Sequence, residues 1–240
     1  VLSNSHMIIS SIPQPYPGRI VIIGKDSGAY VGIYAVTARS ASSRAKRYVR
    51  HGDSVVVEAT DEDVMAQGNL DLLSYTAMRW DSNHLVIVNG RQVDEVLTFK
   101  DNARDTLEYS LGAIDVEPDK YHTPRITGYI HDGHMNSGAL HIVREKEGVQ
   151  LRDVYEIPML EGRGYGICTY AGPNTRPTQS FIDKPFEVPL SFGNTMATAE
   201  SLYDSLEPRV GEEDLRVSVA VVYWKQGVKD IYITNAVDRI

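Results

Sequence analysis

The chain has 240 residues, of which 42% are hydrophobic and 23% charged, and its formal net charge is −8. This composition is typical of a globular protein and excludes disordered, collagen-like and low-complexity classes. The acidic balance also argues against general binding of nucleic acid or of a membrane surface, because such binding needs a basic surface.

Strand patterns dominate the first hundred residues. Two runs rich in β-branched residues, at 19–24 and 29–37, flank a short polar turn and predict a β-hairpin. Asn89-Gly90 is a typical hairpin turn, so a strand is also predicted over residues 92–99. Further strands are predicted at residues 53–59, 75–80 and 85–88.

Two segments have helical character among the later strands. Asp101 is predicted to cap a helix over residues 102–111, and a second helix is predicted at about 195–206, before Pro208. The remaining strands are predicted at residues 125–130, 139–144, 149–155, 165–170, 215–224 and 230–234. Many strands with few helices predict an α+β fold of mainly antiparallel sheets packed together, in a single domain over residues 7–240.

The compartment is indicated by the cysteine content. Cys168 is the one cysteine, which excludes an internal disulfide framework and fits a reducing cytoplasm. The apolar stretches are of strand length, so no membrane span is predicted. Residues 1–6 are expected to be an expression scar before Met7, and no secretory signal is expected.

Residues 27–52 form a basic segment without Asp or Glu. Arginine binds phosphate and carboxylate groups well, so this segment could hold an anion, although a solvated basic edge explains its charge equally simply. Its basic residues are Arg39, Arg44, Lys46, Arg47 and Arg50.

General catalytic motifs do not identify a function. Gly162, Gly164 and Gly166 precede a strand rather than a helix, which argues against a dinucleotide-binding loop. The histidines of residues 131–134 and His141 suggest a metal site, but the Asp and Gly residues around them favour a solvated turn. Cys168 is interpreted as a small buried strand residue rather than a nucleophile.

Five short motifs, in order along residues 16–170, carry a family resemblance. Read together, they resemble the archaeal-type IMP cyclohydrolase family, whereas residues 173–190 and the C-terminal third match it only loosely. The motifs are Tyr16-Pro17-Gly18-Arg19-Ile20, Thr37-Ala38-Arg39-Ser40 with Arg44, Tyr75 with Val88-Asn89-Gly90, Asp115-Val116-Glu117-Pro118-Asp119 with Thr123-Pro124-Arg125-Ile126, and Ile167-Cys168-Thr169-Tyr170.

The resemblance implies a four-layer αββα sandwich like that of the N-terminal-nucleophile hydrolases, without an N-terminal nucleophile. It implies a cytoplasmic hydrolase of the cyclic amidine class that works in purine biosynthesis without metal or organic cofactor. The reaction closes the ring of 5-formamidoimidazole-4-carboxamide ribotide to give IMP and water. The expected partner is a small purine ribotide, with no nucleic acid and no membrane, and the family suggests a homo-oligomer.

The resemblance also implies the site residues. Arg44, Tyr75 and Glu117 are expected to be catalytic, with Glu117 as the general acid or base and Arg44 stabilising negative charge or holding the carboxamide. Arg19, Arg39, Asn89 and Arg125 are expected to bind the substrate, the three arginines as candidates for the 5′-phosphate. No metal site is expected. Lys46, Arg47 and Arg50 keep the interpretation of a solvated basic edge.

Two other functions stay open at this point. The divergent segment 173–190 fits an amidohydrolase or cyclase that acts on another purine-like ribotide. A non-enzymatic nucleotide-binding protein would keep the arginine pocket, although Glu117 counts against it. Convergence of Arg44, Tyr75 and Glu117 on one pocket would favour the cyclohydrolase.

Overall fold

The computed structural model describes residues 11–13, 15–99, 101–133, 137–176, 178–225 and 228–239. Its strands, in chain order, are β1 (Arg19–Asp26), β2 (Ala29–Thr37), β3 (Lys46–His51), β4 (Ser54–Ala59), β5 (Thr76–Trp80), β6 (His84–Val88), β7 (Arg125–His131), β8 (Ser137–Lys146), β9 (Val149–Pro158), β10 (Arg163–Cys168), β11 (Phe186–Pro189), β12 (Arg216–Lys225) and β13 (Val228–Asn235). Its helices are α1 (Ala41–Arg44), α2 (Glu62–Met65), α3 (Leu70–Leu73), α4 (Val93–Thr98), α5 (Ala103–Leu111) and α6 (Thr195–Ser205), and a 3₁₀ turn spans Ala236–Arg239.

These strands form two antiparallel sheets. One sheet has six strands in the order β11-β10-β1-β2-β12-β13, and the other has seven in the order β3 to β9. The predicted α+β class with mainly antiparallel sheets is therefore confirmed. The predicted hairpin of β1 and β2 is also confirmed, with Asp26 opposite Ala29 across a two-residue turn. Ser27 and Gly28 have φ angles of 53° and 73°, which is the left-handed conformation that such a turn requires.

The two sheets pack face to face, and glycines allow their close approach. A Cβ atom at Gly32 would lie 2.5 Å from Leu85 Cδ2 of the other sheet, and one at Gly128 would lie 2.6 Å from Val21 Cγ1. Branched side chains of one sheet thus fill the gaps that glycines leave in the other. The largest apolar cluster of the described residues lies between the sheets.

Helices pack against each of the two sheets. Helices α4 and α5 bury an apolar cluster against the seven-stranded sheet, which includes Val96, Leu107 and Tyr129. Helix α6 contacts β12 and β13 of the six-stranded sheet, where Thr198 hydrogen-bonds the Tyr223 hydroxyl at 2.7 Å. None of the helices in the described ranges is long and apolar enough to cross a membrane.

The predicted strand at residues 92–99 is wrong, because this segment forms helix α4. Val93 and Val96 are one helical turn apart and both are buried. Asn89 and Gly90 do not form a hairpin turn. The Asn89 side chain instead hydrogen-bonds Pro124 O and Ile126 N. The cap of α5 also differs by one residue, since Asn102 and not Asp101 accepts the hydrogen bond from Asp105 N.

Two interpretations of single residues are tested by burial and geometry. Cys168 is fully buried and burial raises the pKa of its thiol, which confirms a structural strand residue. His134 and residues 1–10 lie outside the described residues. Within the described part of the chain, no three His, Cys, Asp or Glu side chains are placed to share a metal ion.

Candidate active site

A cavity of about 300 Å³ opens beside the ends of β1 and β2. Its lining comes from Tyr16 and Arg19, the segment around α1, helix α3 with the residues before it, the loop between α5 and β7, Tyr170 and Arg176. Three residues expected from the sequence to be functional line it, namely Arg19, Arg39 and Glu117. The segments that meet here are spread over residues 16–176 of the chain, so the packing of the two sheets brings them together.

Buried charges form the floor of this cavity. Arg19 Nη2 lies 3.6 Å from Glu117 Oε2, and the side chains are only 14% and 2% exposed. Lys46, at the start of β3, is 1% exposed and lines the same cavity. One carboxylate among two cationic groups attracts an anionic ligand and provides groups that can move protons.

Burial shifts the pKa values of Glu117 and Lys46 toward each other. Burial raises the pKa of Glu117, and the charges of Arg19 and Arg125 only partly oppose this effect. Burial and the Arg19 charge lower the pKa of Lys46 to about 7. Burial alone would lower the pKa of Arg19, but Glu117 and nearby tyrosines outweigh it, so that guanidinium stays charged. Lys46 can therefore gain and lose a proton near neutral pH.

Tyr75 lies next to the floor but does not line the cavity. Its hydroxyl is 2.7 Å from the Tyr34 hydroxyl and 2.9 Å from the Tyr48 hydroxyl. Lys46 Nζ lies 5.8 Å from the centroid of the Tyr75 ring. Burial raises the pKa of Tyr75, so its hydroxyl is neutral, and the Tyr48 ring also lies near Lys46, 5.9 Å from its Nζ.

Asn89 is fully buried and holds Glu117 in place. Its Nδ2 donates to Glu117 Oε1 at 3.3 Å and to Pro124 O at 2.8 Å, while its Oδ1 accepts from Ile126 N at 2.8 Å. These contacts join the end of β6 to the start of β7 and orient the carboxylate. Asn89, which was expected to bind substrate, thus lies behind Glu117 and does not line the cavity.

Arg39 lies in the cavity wall. Its guanidinium lies 4.4 Å from the centroid of the Tyr16 ring, and the Tyr16 ring stacks on Tyr170 at 5.6 Å. Its Nη1 donates to Asn174 Oδ1 at 3.2 Å and to the Thr175 carbonyl at 2.5 Å. The segment 173–190, which matched the motifs only loosely, thus contacts the cavity through Arg39.

Arg44 and Arg125 do not line the cavity, contrary to expectation. Helix α1 ends at Arg44, whose Nη2 lies 2.6 Å from Glu213 Oε1 beside a separate cavity. Arg125 Nε donates to Asp115 O at 3.0 Å and its Nη1 to Gln92 Oε1 at 3.2 Å. The charge of Arg125 lowers the pKa of Glu117.

The interpretation of Lys46 as part of a solvated basic edge is wrong, because this side chain is buried and lines the cavity. In β3, Lys46 and Tyr48 are buried whereas Arg47 between them is exposed. Alternation along a strand could have placed Lys46 on the inner face, but this edge strand has no clear apolar pattern. Ser40, Asp119, Lys120, Thr123 and Arg176 also line the cavity without having been singled out for the site.

A buried Glu, Lys and Arg at the floor of a ligand-sized cavity, beside two face-to-face antiparallel sheets, are groups that can bind a small anion and transfer protons, as an acid–base enzyme requires. Comparison with known proteins is more specific. The family described as IMP cyclohydrolase-like protein matches residues 16–228, and the chain belongs to that family. The resemblance predicted from the five motifs is thereby confirmed.

Related proteins have been found in archaea. An IMP cyclohydrolase of Haloquadratum walsbyi is 34% identical over 144 residues, which are 59% of this chain and 67% of that protein. An IMP cyclohydrolase of Natronomonas pharaonis is 31% identical over 177 residues, 72% of this chain and 82% of that protein. One of Methanocaldococcus jannaschii is 29% identical over 161 residues, 65% of this chain and 73% of that protein.

Proposed function

We propose that this chain is an enzyme of purine biosynthesis that closes the ring of 5-formamidoimidazole-4-carboxamide ribotide, giving IMP and water. The observation that carries the proposal is the buried Glu117, Arg19 and Lys46 cluster at the floor of a cavity of ligand size. Membership of the cyclohydrolase-like family supports the substrate class.

The ring closure needs two proton transfers, and the floor provides one group for each. The carboxamide nitrogen attacks the formyl carbon, which forms the new C–N bond. Glu117 as carboxylate takes a proton from that nitrogen, while Lys46 as ammonium donates a proton to the formyl oxygen. The product of this step is a carbinolamine with a hydroxyl group, and it leaves Glu117 protonated and Lys46 neutral.

Water is lost in the second step, and both residues return to their starting states. Lys46, now a neutral amine, removes the proton of the former formamide nitrogen, and a C=N double bond forms. Glu117, now a carboxylic acid, donates its proton to the hydroxyl group, so that the C–O bond breaks and water leaves. The pKa of Lys46 of about 7 makes both of its states accessible near neutral pH.

Arg19 and the positioning residues provide a fixed electrostatic environment. The permanent charge of Arg19 stabilises negative charge on the formyl oxygen in the transition state and lets Glu117 ionise despite its burial. Asn89 orients Glu117. The Tyr75 ring, whose hydroxyl is hydrogen-bonded to Tyr34, lies beside Lys46. Because one substrate molecule carries both reacting groups, alignment in the cavity supplies much of the remaining rate enhancement.

The phosphate of the ribotide is proposed to bind at the cavity wall. Arg39, Lys120 and Arg176 are cations of the lining, and Ser40 adds a hydroxyl donor beside them. The side chain of Arg39 is preorganised by Tyr16 and the 174–175 backbone segment. A charged hydrogen bond of this type is worth about 1.5–3 kcal/mol.

The finer features expected from the sequence belong to the same proposal. Helices α4 and α5 on one sheet and α6 on the other support a four-layer αββα sandwich. A single domain over residues 7–240, a homo-oligomeric state and a cytoplasmic location remain predictions.

The decisive experiment is the formation of IMP from the formylated ribotide by the purified chain. Glu117→Gln should lower kcat by about 10²–10⁴-fold, the usual contribution of a general acid or base, while IMP binding is kept. Glu108→Gln on the exposed face of α5 is the matched control and should keep the wild-type rate. A wild-type protein that forms no IMP would exclude the proposed function.

A further inference from the structure

A row of hydrogen bonds crosses the wall of the cavity and has a fixed direction. The Thr123 hydroxyl donates to Asp119 Oδ2 at 2.7 Å, and the same Thr123 oxygen is 2.7 Å from the Tyr170 hydroxyl. Tyr170 and Thr123 are buried, with exposures of 5% and 2%. All three residues line the cavity.

The direction follows from the number of available protons. A carboxylate only accepts hydrogen bonds, and a hydroxyl carries a single proton. Because Thr123 gives its proton to Asp119, its oxygen must accept at the second contact, so Tyr170 is the donor there. The proton of Tyr170 is thus committed, and its oxygen can offer only lone pairs to a ligand.

Backbone hydrogen bonds fix the Asp119 carboxylate as the acceptor at the end of this row. Its Oδ1 accepts from Tyr121 N at 3.1 Å and from Thr123 N at 2.9 Å, which fixes the carboxylate within its own loop. The ring of Tyr170 is fixed by stacking on Tyr16. Two acceptor groups, Tyr170 Oη and the Asp119 carboxylate, therefore lie on one side of a cavity whose other polar side chains are mostly donors.

We propose that this acceptor row, Asp119–Thr123–Tyr170, recognises the ribose hydroxyls of the ligand and selects a ribotide over its deoxy analogue. The inference rests on the proposed function for the identity of the ligand. A ribotide places acceptors on its phosphate and hydroxyl donors on its ribose, which matches the cationic and the acceptor sides of the cavity. Tyr170 contacts the ligand, whereas Thr123 and Asp119 act through Tyr170 as positioning residues.

Calorimetric titration with IMP, 2′-deoxy-IMP and 3′-deoxy-IMP tests the row independently of catalysis. The wild type should bind IMP about three- to tenfold more tightly than at least one deoxy analogue, as expected for one hydrogen bond. Tyr170→Phe should bind IMP and that analogue equally well. Tyr109→Phe, an exposed tyrosine on α5, is the matched control and should keep the wild-type ratio.

Thr123 variants separate a directional role from a merely structural one. Thr123→Val removes the acceptor that holds the Tyr170 hydroxyl, so this hydroxyl is no longer fixed toward the ribose and the preference for ribose should weaken although Tyr170 is present. Thr123→Ser keeps the hydroxyl and should keep the preference.

Equal binding of IMP and both deoxy analogues by the wild type, or an unchanged ratio in Tyr170→Phe, overturns the inference. Ribose selectivity that depends on Tyr170 in a protein that forms no IMP supports the acceptor row while it excludes the cyclisation. A wild type that forms IMP but has no Tyr170-dependent selectivity refutes the acceptor row alone.

Discussion

The protonation of Lys46 should set the alkaline side of the pH–activity profile. Lys46 must be charged to donate its proton to the formyl oxygen, and its pKa is lowered to about 7 by burial and by Arg19. We therefore consider two substitutions, Lys46→Arg, which keeps a permanent charge, and Lys46→Met, which keeps the length of the side chain without a charge.

The magnitude follows from the fraction of charged lysine. With a pKa of about 7, about half of Lys46 is charged at about pH 7 and about 1% at about pH 9. The kcat/KM of the wild type should therefore fall about tenfold for each pH unit above neutrality. Lys46→Arg should be slower at neutral pH, because a guanidinium does not give up its proton as the mechanism requires, but its rate should be flat from about pH 7 to 9. Lys46→Met should be about 10²–10⁴-fold slower, also without this alkaline limb.

The assay is the initial rate of IMP formation at low substrate concentration in buffers of constant ionic strength. Lys184→Met, an exposed lysine outside the site, is the control and should reproduce the wild-type profile. Circular dichroism of each variant at each pH separates loss of activity from loss of fold. An alkaline limb that persists unchanged in Lys46→Arg would refute the role of Lys46 as proton donor.

Three further predictions concern binding and stability. Arg39→Ala should raise KM by about tenfold to a hundredfold, since it removes a charged hydrogen bond, whereas Arg47→Ala at the exposed edge should not; an unchanged KM would remove Arg39 from phosphate binding. Gly32→Ala should lower the free energy of unfolding by about 1–3 kcal/mol, because its Cβ would lie 2.5 Å from Leu85 Cδ2, and a melting temperature equal to that of the wild type would contradict the close sheet contact. Lys46→Met should stabilise the fold more at about pH 6 than at about pH 10. The pKa of this lysine is lowered from its ordinary 10.5 to about 7 on folding. The free-energy cost of burying its charge is therefore complete below about pH 7 and vanishes above the pKa of the unfolded state. Urea unfolding at both pH values measures this difference, and a constant difference would argue against it.

Local patterns predicted much of the fold because they act over a few residues. The hairpin of β1 and β2 was predictable because alternating β-branched runs flank a turn whose residues tolerate positive φ. Helix α5 was predictable from its capping signals, within one residue. Helix α4 was not, because Asn89-Gly90 is a good turn sequence and the use of the Asn89 side chain by Pro124 and Ile126 is a long-range contact.

The candidate site was predictable in part for the same reason. Glu117, Arg19 and Arg39 occur in short ordered motifs, and all three line the cavity. Arg44 occurs in the same motif as Arg39, yet its side chain pairs with Glu213 in the C-terminal third, a partner that no local pattern identifies.

The sequence by itself determined the β-rich class, the first hairpin, the family and the residue types that the chemistry needs. Only the tertiary structure decided that Lys46 lines the cavity while Arg44 does not, and that the Asn89 side chain hydrogen-bonds Glu117. The physical reason is that burial, side-chain contacts and pKa values depend on groups that lie far apart in the chain and are brought close by the packing of both sheets. The basic segment 27–52 of an acidic chain thus divides into an exposed edge around Arg47 and a buried amine, and no charge count along the chain distinguishes the two.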